Sequence, residues 1–447
     1  MKERNLKLAM LAMAGLLMAA PAVHAADEAT STDDSIEELR AQMGALSSQL
    51  NTLKDKSDNG TNFSVNVDLR YDIQSYKTFT YNPLNSPLGT TTRSVAANGT
   101  VGMYAKRAEF EVLQKVTPTQ TWYFQWDMAA LKLEDVGVAL NNLPILPFMD
   151  KTPTFDMKIG QFRQPFGIEA QTGSSAIAFS ERPMFNGGAN PFGGNYGKLV
   201  FERVMGLHFV QQDTFGPLGL KLQFALANDV NDEAPVANTS SLAGAFPTQA
   251  ADNDPSEFGR VGLDLNFVPG LSKFNIGGSA IHDSENTVMY ATAPNTQKWA
   301  DVYGLDATIE TLGFWHLQGE WVAKNTFTGG NTAGTGTGGW NFNKLNRAES
   351  WYITSVMEPL KLFMKDPTKL ELNARYENYV NDVDLIAQGV APGTAAAVQA
   401  ISTGLKWSFI GKNYTSINYT VYGLNGDFGA SGPAAANLWV IQQQFNY

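Results

Sequence analysis

The sequence predicts an all-β fold: a transmembrane antiparallel β-barrel of about 16 strands with a short N-terminal coiled-coil helix ahead of it. Three observations carry this. From Asn62 onward apolar and polar residues alternate at period two, in repeated runs. Those runs are about ten residues long, the length of a tilted strand that crosses a bilayer. The chain closes on NLWVIQQQFNY, where Trp439, Ile441, Phe445 and Tyr447 share one side of an alternation interrupted only by Gln443, with no side-chain charge after Asp427. A frayed terminus of a water-soluble domain is normally polar, so these aromatic residues must be buried in something.

Residues 1–25 read as an export leader. Lys2, Arg4 and Lys7 precede a 13-residue apolar run, Leu8 to Ala20, and AVHA supplies small residues before a cleavage point. The run is short of the roughly 20 residues a spanning helix needs. Loss of three positive charges and one negative with the leader takes the formal net charge from −11 to −13, so acidic that nucleic acid is excluded as a partner. The exported chain contains no cysteine, and its stability must come from hydrogen bonding and burial.

Residues 26–60 form a second segment. In DDSIEELRAQMGALSSQLNTLKDK, the residues Ile36, Leu39, Met43, Leu46, Leu50 and Leu53 recur at spacings of 3 and 4, a heptad seam. Asp33, Asp34 and Ser35 suit a helix start, and Lys54 and Lys56 suit its end. The stripe is too thin for a helix packed on a domain and predicts a periplasmic coiled coil. Three heptads are marginal alone, so an oligomer needs support elsewhere.

Residues 61–447 are assigned to the barrel. In FSVNVDLRYDI, Phe63, Val65, Val67, Leu69, Tyr71 and Ile73 form one face and Ser64, Asn66, Asp68, Arg70 and Asp72 the other. The pattern returns in LKLQFAL, GRVGLDLNFV, FWHLQGEWVAKN, KLELNARYENY and ISTGLKWSF. A soluble sandwich also alternates, but its outer face is commonly Lys, Glu and Thr. Here the polar faces carry Gly, Ser and Asn between single charges, which suits a narrow wet lumen, and aromatic residues cluster near strand ends as in a membrane girdle. On the strands with the clearest faces the inward side carries Asp68, Arg70, Asp72, Arg107, Glu109, Glu111, His316, Glu320, Lys324, Glu371, Arg375 and Glu377. The acids there outnumber Arg and Lys seven to four, which predicts weak cation preference or near neutrality. On the closing strand a charge at Phe445 is expected to impair assembly, and one at Gln444, on the other face, to be tolerated. Strand boundaries are ambiguous over 119–140 and 199–212, and the length also accommodates 14 or 18 strands. Polar stretches at 80–99, 229–257, 284–299, 325–346 and 384–397 read as extracellular loops.

The segment KIGQFRQPFGIEAQTGSSAIAFSERP interrupts the strand pattern. Pro165 removes a ladder donor, Gly167 permits a turn, and the following residues to Tyr196 are Gly- and Asn-rich yet include Ile177, Phe179, Met184 and Phe185. Such a loop is expected to fold inward, with Arg163, Glu169, Glu181 and Arg182 narrowing a pore and setting its field. Pairing of Glu181 and Arg182 with wall charges, merely holding the loop, is the alternative role. Gly160, Gln161, Phe162, Arg163, Pro165, Phe166, Glu169, Ser174, Ser175, Phe179, Glu181 and Arg182 resemble the signature of the phosphate-selective porin O and P family. The resemblance is close over about twenty-five residues and architectural beyond them. It implies a trimeric 16-stranded channel of the bacterial outer membrane with a loop folded into the lumen; phosphate as the solute does not follow.

Catalytic chemistry finds no support. His208, His282 and His316 remain after export, no two of them at metal-ligand spacing, and no Gly-x-Ser-x-Gly elbow exists. GTGTGG from Gly334 lies in a Gly/Thr loop, and DNDPSE lacks the glycine turn of a calcium loop. No cofactor and no metal are expected. The expected activity is passive diffusion of small hydrophilic solutes or ions, with membrane lipids and two further copies of the chain as partners. The alternative is a plugged barrel that anchors the heptad segment to a periplasmic or cell-wall partner.

Overall fold

The computed structural model describes residues 60–76, 79–81, 93–95, 99–117, 119–144, 154–173, 176–186, 199–200, 202–227, 255–265, 268, 270–283, 298–328, 344–364, 369–380, 397–410, 413–424 and 435–446. The leader and the heptad segment lie outside them, as do Ser174, Ser175 and Tyr447. Asn59–Tyr447 is one compact unit.

Sixteen strands close into a barrel in which every strand pairs with its neighbours in sequence. They are β1 (Thr61–Tyr76), β2 (Gly99–Thr117), β3 (Gln120–Asp127), β4 (Lys132–Pro144), β5 (Thr154–Arg163), β6 (Arg203–Phe215), β7 (Leu218–Ala227) and β8 (Ser256–Leu265). Then follow β9 (Leu271–Asp283), β10 (Lys298–Thr311), β11 (Trp315–Thr328), β12 (Lys344–Met357), β13 (Leu370–Val380), β14 (Ala397–Ile410), β15 (Asn413–Leu424) and β16 (Ala435–Asn446). Phe79–Tyr81 and Arg93–Val95 pair apart from the barrel. β16 lies antiparallel to β1, with Val67 opposite Phe445 and Asp68 opposite Gln444, so the barrel itself has no unpaired edge.

The connections sort by end. Seven of the eight at one end, 77–98, 164–202, 228–255, 284–297, 329–343, 381–396 and 425–434, are long, and 128–131 is a tight turn. The other end carries short reversals such as Gly216–Pro217 and 312–314, where Leu312 and Gly313 both take left-handed φ of 56° and 70°. Two consecutive positive φ values match the twist of the flanking strands. The polar stretches foreseen as loops all fall at the long end, although strand residues reach into each of them, at 80–81, 93–95, 99, 256–257, 298–299, 325–328, 344–346 and 397.

Burial separates the faces. Tyr71, Ile73, Ile353, Leu405, Trp407, Ile417, Trp439 and Ile441 are exposed, while Asp68, Arg70, Asp72, Gln442 and Gln444 are buried. This inversion is the mark of a barrel in lipid: the apolar face meets hydrocarbon. Aromatic pairs lie along the apolar face, Tyr419 with Trp439 at 4.4 Å and Trp351 with Tyr376 at 5.3 Å.

One difference from the sequence reading concerns the interior. The inner face is not polar along its whole height. Toward the long-loop end Val204, Ala225, Phe258, Ile281, Val302, Val322, Ala348, Val398 and Leu438 form a buried apolar belt with Phe166, Met184, Phe185, Leu199 and Val200 of the connection after β5. Apolar residues on both faces there serve two contacts, lipid outside and a packed loop inside.

The wall is creased below that connection. Gly137, Gly160 and Gly206 stand in one row across β4, β5 and β6. Gly160 has φ of +125°, and a Cβ on it would strike the Val136 carbonyl and lie 2.8 Å from Gly137 Cα. Only glycine permits this approach of backbones.

Candidate functional site

In the third connection at the long-loop end, 164–202, the described residues 164–173 and 176–186 turn into the barrel. Gln164 still holds the ladder direction, its N–H donating to the Glu202 carbonyl at 3.0 Å, and Pro165 then ends it. Gly167 reverses the chain with φ of +53°, and a Cβ there would run into the Glu320 carboxylate. That carboxylate is the turn's cap: one oxygen accepts from the N–H groups of Ile168 at 2.8 Å and Glu169 at 2.6 Å, and from the Tyr352 hydroxyl at 3.0 Å. The Gly167 N–H donates to Ser279 on β9, 3.1 Å away.

From this turn the loop is bonded to strands across the barrel. Lys406 of β14 donates to the Ile177 carbonyl at 3.2 Å and Asn373 of β13 to that of Ala178 at 2.7 Å. Ser180 meets Ser416 and Asn418 of β15. Arg375 donates to the Glu181 carbonyl at 3.0 Å and lies 4.7 Å over the Phe179 ring. Met184 N–H donates to Glu377 at 2.8 Å, and Phe185 stacks on Tyr352 at 5.9 Å. A loop rooted between β5 and β6 reaches side chains of β9, β11, β13, β14 and β15 only through the interior, which fixes the inward face of those strands.

The four charges singled out from the motif are brought together in part. Glu181 pairs with Arg70 of β1 and with Lys106 of β2, the latter at 2.9 Å. Burial alone would raise its carboxyl, but Lys106 and Arg70 outweigh that and hold it down at about 2. Arg182 pairs with Glu169 at 3.6 Å and Glu202 at 2.8 Å, and donates to the Thr172 carbonyl at 2.7 Å. Arg163, last in β5, donates to the same carbonyl at 3.1 Å. Glu169 is the reverse of Glu181: burial, only partly offset by Arg182 and Arg375, pushes its carboxyl up. Glu202 resembles Glu181, for Arg182 and Arg203 overcome burial and keep it at about 2.

Of the residues foreseen on the inward side, Asp68, Arg70, Asp72, Glu109, Glu320, Glu371, Arg375 and Glu377 are buried. Arg107, Glu111, His316 and Lys324 are half-buried. Glu109 accepts from Asn66 at 2.8 Å and Glu111 from Ser64 at 2.9 Å. Arg375 pairs with Glu377 at 2.7 Å and Glu371 with Lys369 at 2.6 Å. Charges missed from the sequence are Lys106, Glu202, Arg203 with Glu134 and Asp135, Arg260 with Asp306, and Lys406. The signals existed. Lys106–Arg107 is a pair of consecutive cations inside a period-two strand, and Glu202–Arg203 repeats the Glu181–Arg182 dipeptide at the other end of the loop.

Among the described residues no group of three or more His, Cys, Asp and Glu could hold a metal ion. What the arrangement offers is a charged, hydrogen-bonded loop inside a barrel.

Comparison with solved structures returns outer-membrane barrels. The channel DcaP of Acinetobacter baumannii has the same fold, at 10% identity and a TM-score of 0.50, over 88% of this chain and 99% of that one. An anion-selective porin from Comamonas acidovorans is 10% identical with a TM-score of 0.48, over 87% and 99%. OmpT of Vibrio cholerae in its trimer form is 11% identical with a TM-score of 0.45, over 87% and 100%. No curated protein sequence matches the chain. The family profile described as phosphate-selective porin O and P matches residues 92–338, more than half of the 447, and spans the inward loop with its motif. The chain therefore belongs to the phosphate-selective porin O and P family and is a β-barrel channel of the bacterial outer membrane.

Proposed function

We propose that the barrel is a water-filled channel for passive diffusion of small hydrophilic solutes or ions, constricted by the inward loop 164–202. Solutes move down their own gradients, and no bond is made or broken. The carrying observation is the loop itself, anchored by its backbone to β9, β11, β13 and β14 and by the Ser180 side chain to β15, while the side chains of Glu181 and Glu202 keep partial solvent access. A polar loop fixed on the lumen wall narrows the lumen without depending on a partner. Arg182 is buried and doubly paired, so its field at the pore is small, and Arg163 is bonded to the loop backbone. The family's name thus does not transfer phosphate preference to this chain, whose interior charges are of mixed sign. Three copies in one assembly, with the heptad segment assisting, complete the proposal, and the short-turn end faces the periplasm.

The apolar belt supports a second reading, in which packing of loop against wall closes the barrel and the protein serves as a membrane anchor. Purified protein in a planar bilayer separates the two. A channel gives step conductances, with a reversal potential near zero or weakly toward cations in a salt gradient; an anchor gives none. Strong anion preference would overturn the mixed-charge reading.

A further inference from the structure

The inward charges are not equally open to water. From β13 round to β15 the loop lies on the wall, and Glu377, Lys406 and Asn418 are buried. On β2 the inward residues Lys106 and Arg107 keep solvent access, as does Glu202 where the loop returns. Glu181 stands at the boundary. Its partner Arg70 has a side-chain exposure of 0%, whereas Lys106 is 24% and Glu181 20% exposed.

Lys106 owes its position to a bulge. Asp68 is opposite Arg107 and Leu69 opposite Ala105, so Lys106 has no partner in the register. A bulge leaves one side chain out of the alternation. Here it turns Lys106 toward the loop carboxylate on the same side as Arg107.

We propose that the aqueous path passes the loop along the β2 wall and that Lys106 is the residue that sets its charge selectivity. The inference rests on the channel reading above. Glu181 and Glu202 border the path with two negative charges, and Lys106 offsets the first of them from the wet side. Arg70 holds Glu181 from the dry side and is itself paired with Asp72 at 3.4 Å. Loss of Lys106 leaves the loop anchored and uncovers one negative charge within a Debye length of every passing ion.

The test is Lys106→Gln in the full chain, recorded in planar bilayers across a potassium chloride gradient. The cation-to-anion permeability ratio should rise about tenfold, since one unit charge acting through water at about 6 Å favours cations about threefold and disfavours anions by the same factor. Lys106→Arg should retain the ratio of the unmodified protein, and both variants should keep a heat-resistant barrel. An unmoved reversal potential in Lys106→Gln, beside an unmodified protein that conducts, overturns this inference alone. Loss of the heat-resistant barrel in Lys106→Gln overturns it too, since Lys106 would then be the anchor. Absence of conductance steps in the unmodified protein overturns the channel reading and this inference together.

Discussion

Two glutamates twelve positions apart in one loop are shifted in opposite directions. Glu169, buried, is pushed up; Glu181, with two cations, is held at about 2. For a carboxylate with a depressed value, the stabilisation is complete above the ordinary value near 4.5 and is lost as pH falls through about 2. The loop's attachment to β1 and β2 should therefore survive acidification far below neutral pH. The difference in reversal potential between the unmodified protein and Glu181→Gln should stay constant from pH 8 to pH 4 and vanish toward pH 2. A difference that already halves near 4.5 would mean that Glu181 is unpaired in solution. The loop's bend at Gly167 was legible in the sequence; its cap was not. Glu320 lies more than 150 positions away, and its role depends on closure of the barrel.

At the level of elements the closing strand is the best test of register. Phe445 faces lipid opposite Val67, and a carboxylate there should cost roughly 1–4 kcal/mol, depending on depth. The tolerance expected for an acid at Gln444 does not hold. Gln444 is buried directly opposite Asp68, where a second carboxylate would meet like charge. Gln442 is no better placed for an acid, because its amide is hydrogen-bonded to the same Asp68 carboxylate and donates to the Tyr414 hydroxyl at 3.1 Å. Phe445→Glu should lose the heat-resistant band on a gel, and Phe445→Leu, which keeps the outward face apolar, should retain it. Strands without bulges, such as β13 and β16, were readable from alternation alone. The uncertainty over 119–140 has a physical origin: register shifts between Gln125 and Trp126, and again between Leu140 and Leu143, change the phase of the alternation within one hairpin. The same kind of shift hid Lys106. The apolar belt was invisible for another reason, because period two reports one wet and one dry face, and Val302 or Val322 has neither.

For the molecule as a whole, β1 is hydrogen-bonded on both sides within the barrel, to β2 and β16. The cylinder is therefore complete from Thr61 on. Deletion of residues 27–57 should leave a heat-resistant barrel while slowing or weakening trimer formation, as measured by the fraction of trimer on unheated gels over a refolding time course. A truncated protein that is wholly unfolded would mean that the heptad segment carries far more of the assembly than three heptads should.

The loop's anchors also impose an order in time. Its bonds join residues 112, 152, 195 and 229 positions apart, to strands completed long after the loop itself has been made, and Glu181 waits for a pocket shared by the first two strands. Contacts of such sequence separation are slow to form. Docking of the loop should therefore await the wall that supplies its partners, and a protein halted before β16 meets β1 should carry a loop that protease cuts readily. In that sense the docked loop records that the cylinder has shut.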